Sequence, residues 1–186
     1  RSKTGGKQLK SLGFVFKIIV VGDGAVGKTS LIKQWTEGTF RTDYIMTIGS
    51  NFAVKSLSVE DKPIKLQIWD LAGQPHFRDV RVLFYKGAMG AMYVFDVSRT
   101  DSYENVESWF GELRNICGDI PGVLLANKVD LNDQRKVTGA MGGALAERLG
   151  GVPYFETSAK TGDKVNEAFD QIARMVYEWA KSRQSG

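Results

Sequence analysis

Nine consecutive residues constrain this chain more than any others: Gly22-Asp23-Gly24-Ala25-Val26-Gly27-Lys28-Thr29-Ser30. The apolar run Val15-Phe16-Lys17-Ile18-Ile19-Val20-Val21 before them reads as a buried strand, and Thr29 to Glu37 after them reads as a helix. Strand, glycine loop and helix in that order are the setting in which G-x-x-x-x-G-K-[ST] holds phosphate. Gly22, Gly24 and Gly27 let the backbone turn tightly and approach a ligand closely, because no Cβ intervenes. Successive N–H groups then point inward, and the helix N-terminus adds partial positive charge. Lys28 supplies a mobile charge for the β- and γ-phosphates, and the Thr29 hydroxyl suits Mg²⁺. The stretch Gly22 to Ser30 is therefore assigned to phosphate binding. With glycine at about 7% of residues, chance produces the bare pattern in roughly one chain per hundred-odd of this length. The flanking strand and helix make chance less plausible still.

A chain of 186 residues is enough for one domain with a full core. Its single cysteine, Cys117, excludes an internal disulfide and fits a reducing, cytoplasmic setting. Cys117 is expected half-buried near a helix end, without redox work. A net charge of +4, with no basic stripe carrying interleaved aromatics, gives no reason to expect nucleic acid. No apolar run is long enough to span a bilayer. Residues 1–13, rich in Gly, Ser and Lys, are expected to form a flexible extension, 14–182 the domain, and 183–186 a truncated tail. The tail carries no cysteine for prenylation, so membrane attachment would need a segment absent here.

Beyond Phe14, strand and helix patterns alternate. Strands are expected near 15–21, 50–59, 63–70, 89–96, 121–127 and 152–156. Helices are expected near 28–37, 78–86, 101–116, 138–149 and 163–182. The last is the clearest, with Val165, Ala168, Phe169, Ile172, Val176 and Ala180 on one face. Strands 15–21, 89–96 and 121–127 are apolar on both faces, as in a sheet covered by helices. The polar turn Glu60-Asp61-Lys62-Pro63 joins 50–59 to 63–70 as an antiparallel hairpin. The expected fold is three-layer α/β: a six-stranded, mostly parallel sheet with one antiparallel edge strand and helices on both faces. Ligands of such folds lie at the carboxyl ends of the strands.

Three further motifs fall at those ends. Asp70-Leu71-Ala72-Gly73-Gln74 closes one strand; its carboxylate can reach a Mg²⁺ shell and Gly73 can bring an N–H to a γ-phosphate. Asn127-Lys128-Val129-Asp130 closes another. Guanine presents two adjacent donors, N1–H and the N2 amine, and the Asp130 carboxylate accepts both; adenine has no such pair. Sites of this kind discriminate by roughly 10⁴. In Thr157-Ser158-Ala159-Lys160, the Ala159 N–H can donate to guanine O6.

Phosphate loop, D-x-x-G, N-K-x-D and S-A-K, in this order over residues 14–182, resemble the Ras superfamily of small GTPases. The resemblance implies GTP/GDP and Mg²⁺ as ligands, and two switch segments. It assigns Thr47 to Mg²⁺ and the γ-phosphate, alongside Thr29 and Asp70 as the metal set. Phe40 would pack on guanine and Tyr44 over the phosphates. Gln74 would orient the attacking water. Lys28, Thr47, Gly73 and Gln74 thus form the expected catalytic group. Ile48-Gly49-Ser50-Asn51-Phe52, Lys65 to Asp70, Phe77-Arg78 and Phe84 to Ala88 are similar to Rab segments, although a Ras- or Rho-like member stays open. Phe52, Trp69 and Phe84 match the Rab aromatic triad. Exchange factor, GAP and effectors would meet the triad and both switches, with the chain itself monomeric.

Departures from the family pattern bear on turnover. Leu71 replaces a threonine, and Pro75-His76 replace Glu-Arg. Met46 and Ser50-Asn51 also differ. No arginine presents itself for a role in cis, so slow intrinsic hydrolysis and GAP stimulation are expected. His76 is expected to face solvent. A GTP-binding module without turnover, motivated by Leu71 and Pro75, is a second reading. A phosphate-loop ATPase or nucleotide kinase is a third, opposed by the guanine motifs.

Overall fold

The computed structural model describes residues 13–40, 47 and 50–186. The expected extension, Gly13 apart, lies outside the described residues, as do Tyr44, Met46, Ile48 and Gly49.

Six strands form one sheet in the order β2-β3-β1-β4-β5-β6. They are β1 (Phe14–Val21), β2 (Ser50–Val59), β3 (Lys62–Leu71), β4 (Gly90–Asp96), β5 (Gly122–Asn127) and β6 (Tyr154–Glu156). Every neighbouring pair is parallel except β2 with β3, so the antiparallel strand is at the edge, as expected. The β2–β3 turn is tighter than the sequence suggests. Glu60 and Asp61 both take left-handed φ (49° and 61°), the two-residue hairpin geometry, while Lys62 and Pro63 already belong to β3.

Among the described residues, six helices cover the sheet: α1 (Lys28–Glu37), α2 (Arg78–Tyr85), α3 (Thr100–Glu104), α4 (Val106–Cys117), α5 (Gly139–Arg148) and α6 (Val165–Gln184). Helix α1 has the bounds the sequence predicts. The helix expected over 101–116 comes as two pieces, broken at Asn105, whose side chain leaves to bond Asp23 in the phosphate loop. Helix α6 runs to Gln184, into the segment expected to be a tail.

The two sheet faces build separate cores. One joins Ile18, Val20, Leu66 and Ile68 to α1 and α6, where Trp35 stacks on Phe169 at 4.2 Å. Its α6 stripe includes five of the six residues named from periodicity; Ala180 is partly buried at its margin. The other joins Ile19, Tyr93, Phe95 and Leu124 to α2, α4 and α5. Strands β4 and β5 are buried along their whole length, which explains why their sequences show no polar alternation. Cys117 ends α4, half-buried, with its thiol on the Tyr85 carbonyl at 3.0 Å.

Candidate functional site

The loops that follow β1, β3, β5 and β6 meet in a cleft of about 350 Å³. Parallel strands force this convergence, because each ends on the same side and hands the chain to a loop there.

The phosphate loop leaves β1 at Val21 and enters α1 through Gly27, whose φ of 101° is available to glycine at little cost. Lys28 folds back over the loop, its ammonium donating to the carbonyls of Gly22 (2.8 Å) and Asp23 (2.9 Å). Burial lowers the Lys28 pKa to about 8, against the opposing pull of Asp70 and Asp23. Phosphate charge at that point would draw it back up. The Asp23 side chain turns away from the cleft, accepting from Asn105 Nδ2 (2.7 Å) and Trp109 Nε1 (2.9 Å). Its contribution at the cleft is therefore backbone.

Thr29, Thr47 and Asp70 converge. The Thr29 hydroxyl bonds Asp70 Oδ2 and lies 2.9 Å from the Thr47 hydroxyl, which sits 3.4 Å from the same Oδ2. Burial raises the Asp70 pKa, opposed by Lys28, both hydroxyls and Asn51 across the β2–β3 pair. Asp70 Oδ1 is buried and accepts no hydrogen bond of good geometry from the described residues. Two hydroxyls and one orphaned carboxylate oxygen are hard donors. They suit Mg²⁺, which favours few protein oxygens and fills its octahedron with water and phosphate.

Gly73 lies directly against the phosphate loop: a Cβ there would meet the Gly24 amide at 2.6 Å and collide with the Gly22–Asp23 backbone. Gln74 follows, extended (φ −71°, ψ 140°), and Pro75 opens a 3-10 turn, Pro75–Phe77. Proline suits that first position, where no N–H is needed. His76 is exposed, as expected. Leu71 is buried in the α2/α4 core, so its departure from threonine changes packing outside the cleft.

At the other end, Asn127 is buried and ties three loops together. Its Nδ2 donates to Val26 O (2.9 Å), and its Oδ1 accepts from Thr157 Oγ1 (3.1 Å) and the Ala159 amide (3.3 Å). The Ala159 N–H, expected to serve guanine O6, thus makes a long bond to Asn127 here. Lys128, at φ 69°, donates to Ala25 O (2.8 Å) and pairs with buried Asp96 (3.0 Å). Asp130 is held by Ser158 Oγ at 2.7 Å. Phe40, Ser30 and Lys160 line the cleft with Gly24, Ala25, Lys28 and Asp130.

Sequence reasoning missed Asp96, Arg99, Thr157, and the cleft-lining Lys33, Thr39 and Leu131. Asp96 had a signal, a carboxylate ending a wholly apolar strand. Arg99 Nη1 donates to Gly24 O at 2.7 Å, which braces the phosphate-loop backbone from outside the residues that line the cleft.

Fold and site together define a phosphate-loop protein of the small G-protein class. The chain belongs to the Ras family, whose model matches residues 17–178. It is similar to Ras-related protein Rab-13 of Canis lupus familiaris, 40% identical over 178 residues, covering 95% of this chain and 87% of that protein. Ras-related protein Rab-8B of Homo sapiens is 41% identical over 171 residues, with 90% and 81% covered. GTP-binding protein ypt2 of Schizosaccharomyces pombe is 40% identical over 168 residues, with 90% and 84% covered. The chain is thus a Rab-like small GTPase, a switch that binds guanine nucleotide and hydrolyses GTP.

Proposed function

We propose that this GTPase uses Lys28, Thr47, Gly73 and Gln74 for turnover and that its regulators and effectors read the Phe52, Trp69 and Phe84 face. The convergence of Lys28, Thr29, Thr47 and Asp70 at one end of the cleft with Asn127 and Asp130 at the other carries the reading. Basic and hydroxyl groups at one end suit a triphosphate, and the Asp130 carboxylate at the other suits a purine with adjacent donors.

The phosphate-loop amides and Lys28 bind phosphate. Thr29, Thr47 and Asp70 hold Mg²⁺, which when bound neutralises charge developing on the phosphates. Gln74 orients water for in-line attack on the γ-phosphate. Loss of that phosphate removes what Thr47 and Gly73 contact, so both segments relax. Phe40 flanks the guanine, Asp130 accepts from its N1–H and N2 amine, and Lys160 borders the pocket. The phosphate-loop residues Gly22 to Ser30 and the Ser158–Ala159 backbone complete the nucleotide shell.

For partner binding, Phe52 lies 4.8 Å from Trp69, and Trp69 lies 5.3 Å from Phe84. Phe52 is 51% exposed, and Leu83 of α2 is exposed as well. No described helix is long and apolar enough to cross a membrane. Work in membrane traffic, at the cytoplasmic face and through a lipidated tail, follows from the Rab-like character. The chain acts as a monomer in this reading.

The test is to denature purified protein and identify the nucleotide it releases. GDP is the expected product. GTP alone would favour a module that binds without turning over, and adenine nucleotide would overturn the base-reading assignment.

A further inference from the structure

Arg81 lies on α2, seven residues past Gln74, and is only 4% exposed. A buried guanidinium is costly unless its donors are met. Here they are. Nε and Nη2 grip both oxygens of Glu112 on α4, at 3.1 and 3.3 Å. Nη1 donates to the Gln74 carbonyl at 3.2 Å. The guanidinium carbon sits 4.4 Å over the Trp109 ring, and the Tyr85 hydroxyl donates to Glu112 at 2.9 Å. Trp109 in turn donates to Asp23 in the phosphate loop.

One arginine therefore joins three parts: the α4 carboxylate, the tryptophan bonded to the phosphate loop, and the backbone of Gln74. That backbone has two other restraints. Phe77 N–H donates to the same carbonyl at 3.0 Å, and Pro75 confines its predecessor to extended ψ, where Gln74 is found. A bidentate fork fixes orientation in a way a lysine ammonium does not.

We propose that Arg81, held by Glu112 and Trp109, is a positioning residue for hydrolysis: it fixes the Gln74 backbone so that the carboxamide stays beside Gly24 of the phosphate loop. The proposal rests on the reading that Gln74 orients the attacking water. Arg81 does not touch the reacting atoms. It acts through Gln74 and has no effect where Gln74 has none.

The test is single-turnover GTP hydrolysis by the whole chain with Mg²⁺, alongside GDP release and thermal unfolding. Arg81→Ala is measured in the parent and in Gln74→Leu. In the parent, hydrolysis falls by about tenfold to a hundredfold, the scale of a misplacement near 1 Å, while GDP release stays within about twofold. In Gln74→Leu, Arg81→Ala adds nothing further. Arg81→Met/Glu112→Met removes both buried charges, keeps the aliphatic stem on Trp109, and covers the case in which Arg81→Ala does not fold. It shows the same slow hydrolysis. An unchanged rate in the parent background overturns the proposal, as does an equal loss with and without Gln74. Parent-like hydrolysis by Gln74→Leu itself would instead overturn the role of Gln74, and the positioning role with it.

Discussion

A Cβ added at Gly24 would meet Nε2 of Gln74 at 2.7 Å and Cδ at 3.2 Å. The two residues are 50 apart in sequence, in the phosphate loop and in the segment after β3. Gly24 has an ordinary backbone conformation, so substitution strains nothing at the residue itself. The cost falls on the neighbour, the mobile end of a side chain rather than packed backbone. Gly24→Val should therefore displace the Gln74 carboxamide without unfolding the protein. We expect single-turnover hydrolysis to drop by about tenfold to a hundredfold, with GTP still bound. Stopped release of phosphate from preloaded protein measures it. Parent-like turnover would show that Gln74 adapts and that its placement beside Gly24 is not required.

The Asp130 carboxylate is positioned by one strong hydrogen bond from Ser158. If it accepts both guanine donors, replacing one oxygen with an amide N–H puts a donor against a donor. Asp130→Asn should weaken GTP by about 10²–10⁴-fold, from two charge-assisted bonds of about 1.5–3 kcal/mol each. It should favour xanthine nucleotides, which present a carbonyl at that edge. Ser158→Ala should cost only about tenfold, because the carboxylate remains and merely loses its orienting partner. Competition titrations with GTP and XTP decide the matter. Retained preference for GTP in Asp130→Asn would rule out this mode of base recognition.

What the sequence reveals here follows local rules. Helix α1 starts behind a glycine loop and ends at Gly38, and both signals are local. Strands β4 and β5 announce themselves by unbroken apolar runs. Gly22 to Thr29, Asp70, Asn127 and Asp130 are legible because each lies in a short motif at a strand end. Arg81 and Glu112 are not: 31 residues separate them, and only the packing of α2 on α4 brings them together. The direction of the Asp23 side chain was hidden for the same reason. It depends on Trp109 and Asn105, which no local pattern ties to the loop.

Asp70 is the sole carboxylate among the described residues of the hydroxyl cluster, and its Oδ1 stays unbonded in a buried place. A divalent cation would repair that deficit. Removing Mg²⁺ with EDTA should then speed GDP release, since Lys28 and the phosphate-loop amides would face the phosphate charge without the cation. Asp70→Asn should bind Mg²⁺ about 10–100-fold more weakly, as for groups that support a metal through its water shell. Its GDP release should be fast already and respond little to EDTA. Fluorescent GDP release at a series of Mg²⁺ concentrations checks both. Identical Mg²⁺ midpoints for parent and variant would remove Asp70 from the metal set.

Far from phosphate, β6 ends in Glu156, one residue before the loop that supports the base site. Arg135 holds Glu156 in a two-pronged ion pair, and the Tyr154 hydroxyl donates to it at 2.7 Å. Hydrogen bonding from Arg135, the largest influence, keeps the Glu156 carboxyl below its usual 4.5 although burial opposes it. A carboxyl with a depressed folded pKa binds fewer protons folded than unfolded in the window between its two pKa values. The pair's contribution is therefore complete above about 4.5, and it fades as the pH falls through the lower, folded value. At 35% side-chain exposure the pair is screened by solvent, so its worth is about 1 kcal/mol or less. Glu156→Gln should thus be less stable than the parent at pH 7, and the gap should close in acid below pH 4.5. Urea unfolding of both proteins at stepped pH tests this. A gap that stays constant down to pH 3 would mean that the ionised carboxylate is not what separates the two proteins.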